Sequence, residues 1–153
     1  MQEFVIQLIE ILRQLNIKPV VYGSFGVSQY IGNFKDFDEV DLLIPDEFVK
    51  ERWGEFKILL ESNGFTLVNE KEHEFKKEEK KVGFASVNIL IADNILTDPS
   101  ELIEHKNYDA HTLSPEDFLK AYEFSVKDGY RVEKRGKKDQ DIIAKLKSYL
   151  QSQ

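Results

Sequence analysis

The chain has 153 residues, of which 41% are hydrophobic, and 21 Lys and Arg stand against 28 Asp and Glu for a net charge of −7. A chain of this length buries roughly 70% of its unfolded surface in one core, so residues 1–153 read as a single domain, and its acidic balance disfavours gripping duplex DNA by overall charge. With no cysteine there is neither a disulfide framework nor a thiolate zinc site, and with no membrane-length apolar run and no signal-peptide pattern the expected setting is the cytoplasm, without a membrane partner.

Val5, Leu8, Ile9, Leu12 and Leu15 recur at helical spacing, so the chain opens with a helix that packs one face inward. Val20, Val21 and Tyr22 form a β-prone run that breaks at Gly23, and the residues through Ile31 can start a helix whose first N–H groups face an incoming anion. The stretch DEVDLLI that follows is a strand. Alternation puts Glu39 and Asp41 on one face, with Val40, Leu42 and Ile44 on the other, and two carboxylates on one face suit a divalent metal. Pro45 and Asp46 open a helix expected to run to about Ser62, stopped by Asn63-Gly64.

Phe65 to Val68 reads as a strand, and Glu74 to Lys77 with Val82 to Ile91 as a hairpin whose long second arm is central and carries Asn88. Tyr108 to Leu113 is expected to form a last short strand. Ser114, Pro115 and Asp117 then start a helix through about Lys127, with Gly129 ending it. A final helix is expected from Lys137 or Lys138 to Leu150, with Ile142, Ile143, Leu146, Tyr149 and Leu150 facing inward. The order is that of an α/β (α+β) fold, a mixed sheet flanked by helices with a C-terminal helical segment.

Four of these places together resemble the nucleotidyltransferase superfamily, in the small single-domain form related to antibiotic-modifying and toxin-type members. They are the turn Gly23-Ser24, the strand Glu39-Val40-Asp41 preceded by the basic Lys35, the later strand with Asn88, and the ending of Leu113 to Phe118 followed by Lys138, Asp139, Asp141 and Ile142. The resemblance implies transfer of a nucleoside monophosphate from an NTP to an acceptor hydroxyl with Mg²⁺ or Mn²⁺. Gly23 and Ser24 would hold the β- and γ-phosphates, Glu39 and Asp41 would bind metal, Asn88 would orient metal or acceptor, and Lys35 with Lys138 would balance phosphate charge.

Two positions depart from the family pattern, because Glu39 stands for the first Asp and Asn88 for the third carboxylate. An amide oxygen can coordinate a hard cation but cannot act as a base. Asp38 and Asp93 are the possible substitutes. The acceptor stays open among a small molecule, tRNA and a protein, and the small size leaves room for a homodimer or a partner subunit to complete the acceptor side. The competing readings are a catalytically impaired nucleotide-binding module and a protein-interaction domain such as a toxin–antitoxin component.

The remaining signals are weaker. His105, Asp109 and His111 are too loosely spaced for a zinc site, and His73 reads as solvent-exposed in a charged hairpin. Arg131, Lys134, Arg135, Lys137 and Lys138 form a basic group that reads as a solvated loop able to meet a polyanion. Neither a dinucleotide-binding glycine motif nor a P-loop is present.

Overall fold

The computed structural model describes residues 1–32, 37–127 and 129–153, with side chains for all of these except 129–137. The first helix, α1 (Gln2–Arg13), turns Phe4, Val5, Leu8, Ile9, Ile11 and Leu12 inward. It ends where Asn16 takes a left-handed conformation and the Ile17 N–H donates back to the Leu12 carbonyl at 3.1 Å. Then come β1 (Val20–Tyr22), α2 (Gly23–Ile31), β2 (Glu39–Ile44), α3 (Trp53–Ser62), β3 (Thr66–Asn69), β4 (Glu74–Lys77) and β5 (Lys80–Ser86). The chain finishes with α4 (Ile89–Ala92), β6 (Ile103–Glu104), β7 (His111–Thr112), α5 (Pro115–Ser125) and α6 (Gly129–Gln151).

The described residues form one mixed sheet in the order β3-β4-β5-β2-β1-β7-β6. The pairs β2–β5 and β1–β7 are parallel and the others antiparallel. Alternation along the central strands divides the core in two. Val40, Leu42, Ile44, Val82 and Phe84 face α1 and α3, where Leu8, Leu12, Phe56 and Leu60 pack on them. Val20 and Leu43 face the other way, onto Leu90, Phe118, Ala121, Tyr122, Ile142 and Leu146. At the N-terminal end of β2 this second face carries Glu39 and Asp41 in place of apolar residues, and there the strand is exposed or half-buried.

Two glycines and a cap hold the second face together. Gly26 lets α2 lie directly on β1, since a Cβ there would come within 2.8 Å of Phe118 Cζ and 2.9 Å of the Val21 carbonyl oxygen. Gly23 has φ +63°, a conformation glycine adopts freely, and makes the sharp turn from β1 into α2. The Ser114 hydroxyl accepts from the Asp117 N–H at 3.1 Å and Pro115 occupies the first turn, so α5 starts where the sequence predicts.

Four expected boundaries differ. The segment after Pro45 is a 3-10 turn, Asp46–Val49, separated from α3 by a break at Lys50, and the break brings the buried Phe48 and Phe56 rings to 6.1 Å. The strand carrying Val82 stops at Ser86 instead of reaching Ile91. Its partner β2 ends at Ile44 because Pro45 has no N–H for the ladder, so the apolar run from Val87 has no strand to pair with and coils into α4, burying Leu90. The region Tyr108 to Leu113 contributes only His111–Thr112 to the sheet, paired with the unforeseen β6. Gly129 opens α6 where it was expected to close α5, and α5 itself stops at Ser125.

Candidate active site

At the N-terminal end of β2 the sheet face opens into a cavity of about 550 Å³. Its floor includes Tyr22, Gly23, Glu39, Asp41, Gly83 and Glu74, its far wall Ala121, Tyr122 and Phe124 of α5, and its rim the turn Lys71–His73 and Asp93. The pairings Tyr22↔Asp41, Asp41↔Gly83 and Gly83↔Glu74 line up one row of residues across β1, β2, β5 and β4. Laterally paired residues point to the same side of a sheet, so this row shares a face with Glu39.

Asp41 is tightly enclosed. A Cβ on Gly23 would fall onto Asp41 Oδ2, and a Cβ on Gly83 would lie 3.1 Å from Asp41 Oδ1. Two glycines thus make room for this carboxylate, and the first turn of α2 begins beside it. Glu39 lies one step toward the strand end and paired with Lys81. Its carboxyl is held above the ordinary glutamate range by burial first, then by the charges of Asp41 and Glu74, with Lys81 offsetting only part of the effect.

A raised carboxyl destabilises the folded state when it is ionised. Its stabilising contribution is complete below the ordinary value of 4.5 and is lost as pH rises through the folded value. Glu39→Gln is therefore expected to melt at a higher temperature than wild type at pH 7 without metal and to lose that advantage near pH 4, which thermal scans at the two pH values will show. Equal melting at pH 7 would mean that Glu39 carries no such strain.

The sequence-derived residues fall into three groups. Gly23, Glu39 and Asp41 meet at the cavity, with Ser24 following in the first turn of α2. Asn88 does not join them. It is an exposed residue preceding α4, its N–H bonded to the Ser86 hydroxyl at 3.1 Å, and Ser86 pairs with Ile44, already three strand residues or about 10 Å beyond the level of Asp41. The expectation that Asn88 faces Glu39 and Asp41 is thus corrected, for the reason that ends β5. Asn88→Asp is expected to leave any metal-dependent shift in melting temperature as in wild type, and a larger shift would place Asn88 near the metal after all.

Lys138 is exposed on α6 and is not among the cavity's lining residues. Lys35 lies outside the described residues, as do the side chains of Arg131, Lys134, Arg135 and Lys137. Of the two substitutes, Asp93 lines the cavity, whereas Asp38 is exposed before β2 and its carbonyl accepts the Lys81 N–H at 2.8 Å. His73, expected in solvent, is half-buried with its ring 4.6 Å from that of Trp53 at the cavity rim.

Sequence reading missed Gly83 and Glu74. The position facing Asp41 on the neighbouring strand is Gly83, flanked by Val82 and Phe84, both buried, so a residue without a side chain stands beside this carboxylate. A glycine inside a β-prone run marks a close approach, and that was the available signal. Among the described residues no three His, Cys, Asp or Glu side chains are already gathered tightly enough to hold a metal ion.

The mixed sheet flanked by helices is a nucleotidyltransferase-like fold, as comparison with solved structures shows. The chain is similar to the solution structure of the antibiotic-resistance factor ANT(2'')-Ia, with a TM-score of 0.56 at 14% identity over 99% of this chain and 96% of that one. It is also similar to the crystal structure of ANT(2'')-Ia in complex with adenylyl-2''-tobramycin, with a TM-score of 0.55 at 12% identity over 95% and 96% of the two chains. No family model matches the sequence. The chain belongs to the family of the Bacillus subtilis (strain 168) protein designated uncharacterized protein YnaI, to which it is 37% identical over 133 residues, 86% of this chain and 85% of that protein.

Proposed function

We propose that this protein, as one domain over residues 1–153, is a metal-dependent nucleotidyltransferase that moves a nucleoside monophosphate from an NTP to the hydroxyl of a small-molecule acceptor. The observation that carries this reading is the placement of Asp41 and Glu39 on one sheet face, at the floor of a cavity, with Asp41 against the Gly23 turn that begins α2. The neighbouring fold that holds adenylyl-2''-tobramycin, an adenylyl group joined to a small molecule, supports the same class of reaction. A cavity of about 550 Å³ is of the size that takes small ligands.

The residues fit a hard divalent cation. Their donors are carboxylate oxygens, their mutual repulsion is relieved by positive charge, and the two glycines make room for the Asp41 carboxylate. When bound, Mg²⁺ or Mn²⁺ supplies charge neutralisation and orientation of phosphate oxygens. Glu39 and Asp41 would hold it, and the first turn of α2 would offer backbone N–H groups and the Ser24 hydroxyl to the β- and γ-phosphates. The acceptor oxygen attacks the α-phosphorus, the bond from that phosphorus to the bridging oxygen breaks, pyrophosphate leaves, and the acceptor proton passes to solvent. Tyr122 and Phe124 offer apolar wall to the acceptor or base, while Glu72 and Asp93 offer acceptors for its polar groups.

A second reading is favoured by one observation, the absence of a side chain at Gly83 facing Asp41. It is a protein that binds nucleotide and metal but transfers slowly or not at all. Calorimetric titration of ATP, GTP, CTP and UTP with and without Mg²⁺, together with pyrophosphate release in the presence of candidate acceptors, separates the two. Metal-dependent binding with release supports the enzyme, binding without release supports the second reading, and no heat with any nucleotide removes both.

A further inference from the structure

This inference rests on the metal-site reading above. We propose that Glu74, two strands away from Asp41, supplies the third carboxylate oxygen of the metal site by reaching across Gly83, and that the Lys81 ammonium is the counter-cation Glu74 gives up when the metal enters.

The sheet register sets this up. Glu74 pairs with Gly83, and Gly83 with Asp41, so the three lie in one row on one face with the glycine in the middle. Glu74 and Asp41 are thus two strand spacings apart, about 9.5 Å between backbones. One glutamate and one aspartate side chain span that gap with a cation of about 2.1 Å contact distance between them. A side chain at position 83 would stand in the path. Among the described residues, only Asp41 Oδ1 comes within 4 Å of the Cβ position on Gly83, so the space above the glycine borders the group Glu74 has to meet.

Lys81 occupies the neighbouring row, paired with Glu39. Its Nζ lies 3.8 Å from Glu74 Oε1, beyond hydrogen-bond range, with the lysine side chain 47% and the glutamate 23% exposed. An ion pair this loose and wet holds Glu74 weakly. Glu74 can turn from Lys81 toward Asp41 at little cost, and Lys81, released next to Glu39, is then placed to meet a phosphate oxygen. The missing convergence of three ligands follows from the same pairing, since without metal the carboxylates repel one another and Glu74 leans on Lys81.

The test is Mn²⁺ binding to the full-length chain without nucleotide, followed by electron paramagnetic resonance, for wild type, Asp41→Asn, Glu74→Gln, Glu74→Asp and Lys81→Gln. Glu74→Gln is expected to weaken binding at least about tenfold, and Glu74→Asp, which keeps the charge but shortens the reach, by a similar factor. Lys81→Gln, freeing Glu74 in advance, is expected to tighten Mn²⁺ several-fold while weakening NTP binding in the presence of metal. Glu74→Gln within about twofold of wild type, with Asp41→Asn unable to bind, overturns the inference and leaves the metal-site reading intact. Glu74→Asp at wild-type affinity shows that Glu74 acts through charge alone and also overturns it. Weaker or unchanged Mn²⁺ binding in Lys81→Gln overturns the exchange, and wild type that binds no Mn²⁺ removes the metal-site reading together with the inference.

Discussion

If the proposed function holds, Asp41→Asn is expected to abolish the rise in melting temperature that Mg²⁺ or Mn²⁺ would give the wild-type protein, and to lower pyrophosphate release at least about a hundredfold. Asn has the shape of Asp but no charge, so the sheet and the Gly23 turn remain while the main electrostatic attraction for the cation is lost. A ligand present at a hundredfold excess over its dissociation constant stabilises the folded state by about 2.7 kcal/mol, equivalent to a shift of roughly 5–11 °C for a chain of this size. That shift is large enough to read from a single pair of melting curves. A variant that keeps it places the metal elsewhere and removes the principal support for the proposed function.

Gly23→Ala is expected to cost at least about 2 kcal/mol and to impair the metal-dependent shift as well. Two effects combine at this position. The left-handed conformation at φ +63° costs a residue with a Cβ about 1–2 kcal/mol, and the added methyl would fall on Asp41 Oδ2, so the carboxylate has to move. Gly32 provides the comparison for the metal response, because its φ is also positive at +62°, with ψ −167°, and none of the described residues lies within 4 Å of its Cβ position. Gly32→Ala should therefore carry a backbone cost of its own and keep the full metal response. Urea denaturation of both variants, with and without metal, reads the two effects; a metal response in Gly23→Ala as full as in Gly32→Ala would show that the contact with Asp41 carries no weight.

Most of the fold was readable because its elements are marked by strong local chemistry. The helical spacing from Val5 to Leu12, the β-prone run before Gly23, the alternation in DEVDLLI and the Ser114-Pro115 start each specify an element with little help from the rest of the chain. The errors occurred where an element is decided by its neighbours. The run Val87 to Ala92 is apolar but for Asn88 and β-branched enough for a strand, and it turns into the helix Ile89–Ala92 because the adjacent strand ends at a proline. Periodicity cannot see a partner that stops.

The site was half readable for the same reason. Glu39 and Asp41 share a strand, so their common face follows from alternation, and Gly23 was found from its turn. Glu74 and Gly83 enter through lateral pairing, which links residues 41, 83 and 74 only once the register of three strands is known. Reading Asn88 as the third member required a strand of the wrong length. His73 was hidden in a charged stretch whose neighbour Trp53 comes from a different layer of the fold.

The close seat of Gly26 bears on how the cavity adapts. Helix-to-strand contact at backbone distance leaves α2 no clearance to slide or tilt toward β1, and Phe118 blocks it from the α5 side. The wall to which the proposed function assigns the phosphates is therefore seated closely on the sheet without any ligand. On the proposed function, adjustment to acceptors of different size would fall to the opposite rim, where Lys71 and Glu72 are exposed and Phe124 is 43% exposed. Under the proposed function, a closely seated phosphate side facing an exposed acceptor side would let one framework keep its nucleotide while changing what it modifies.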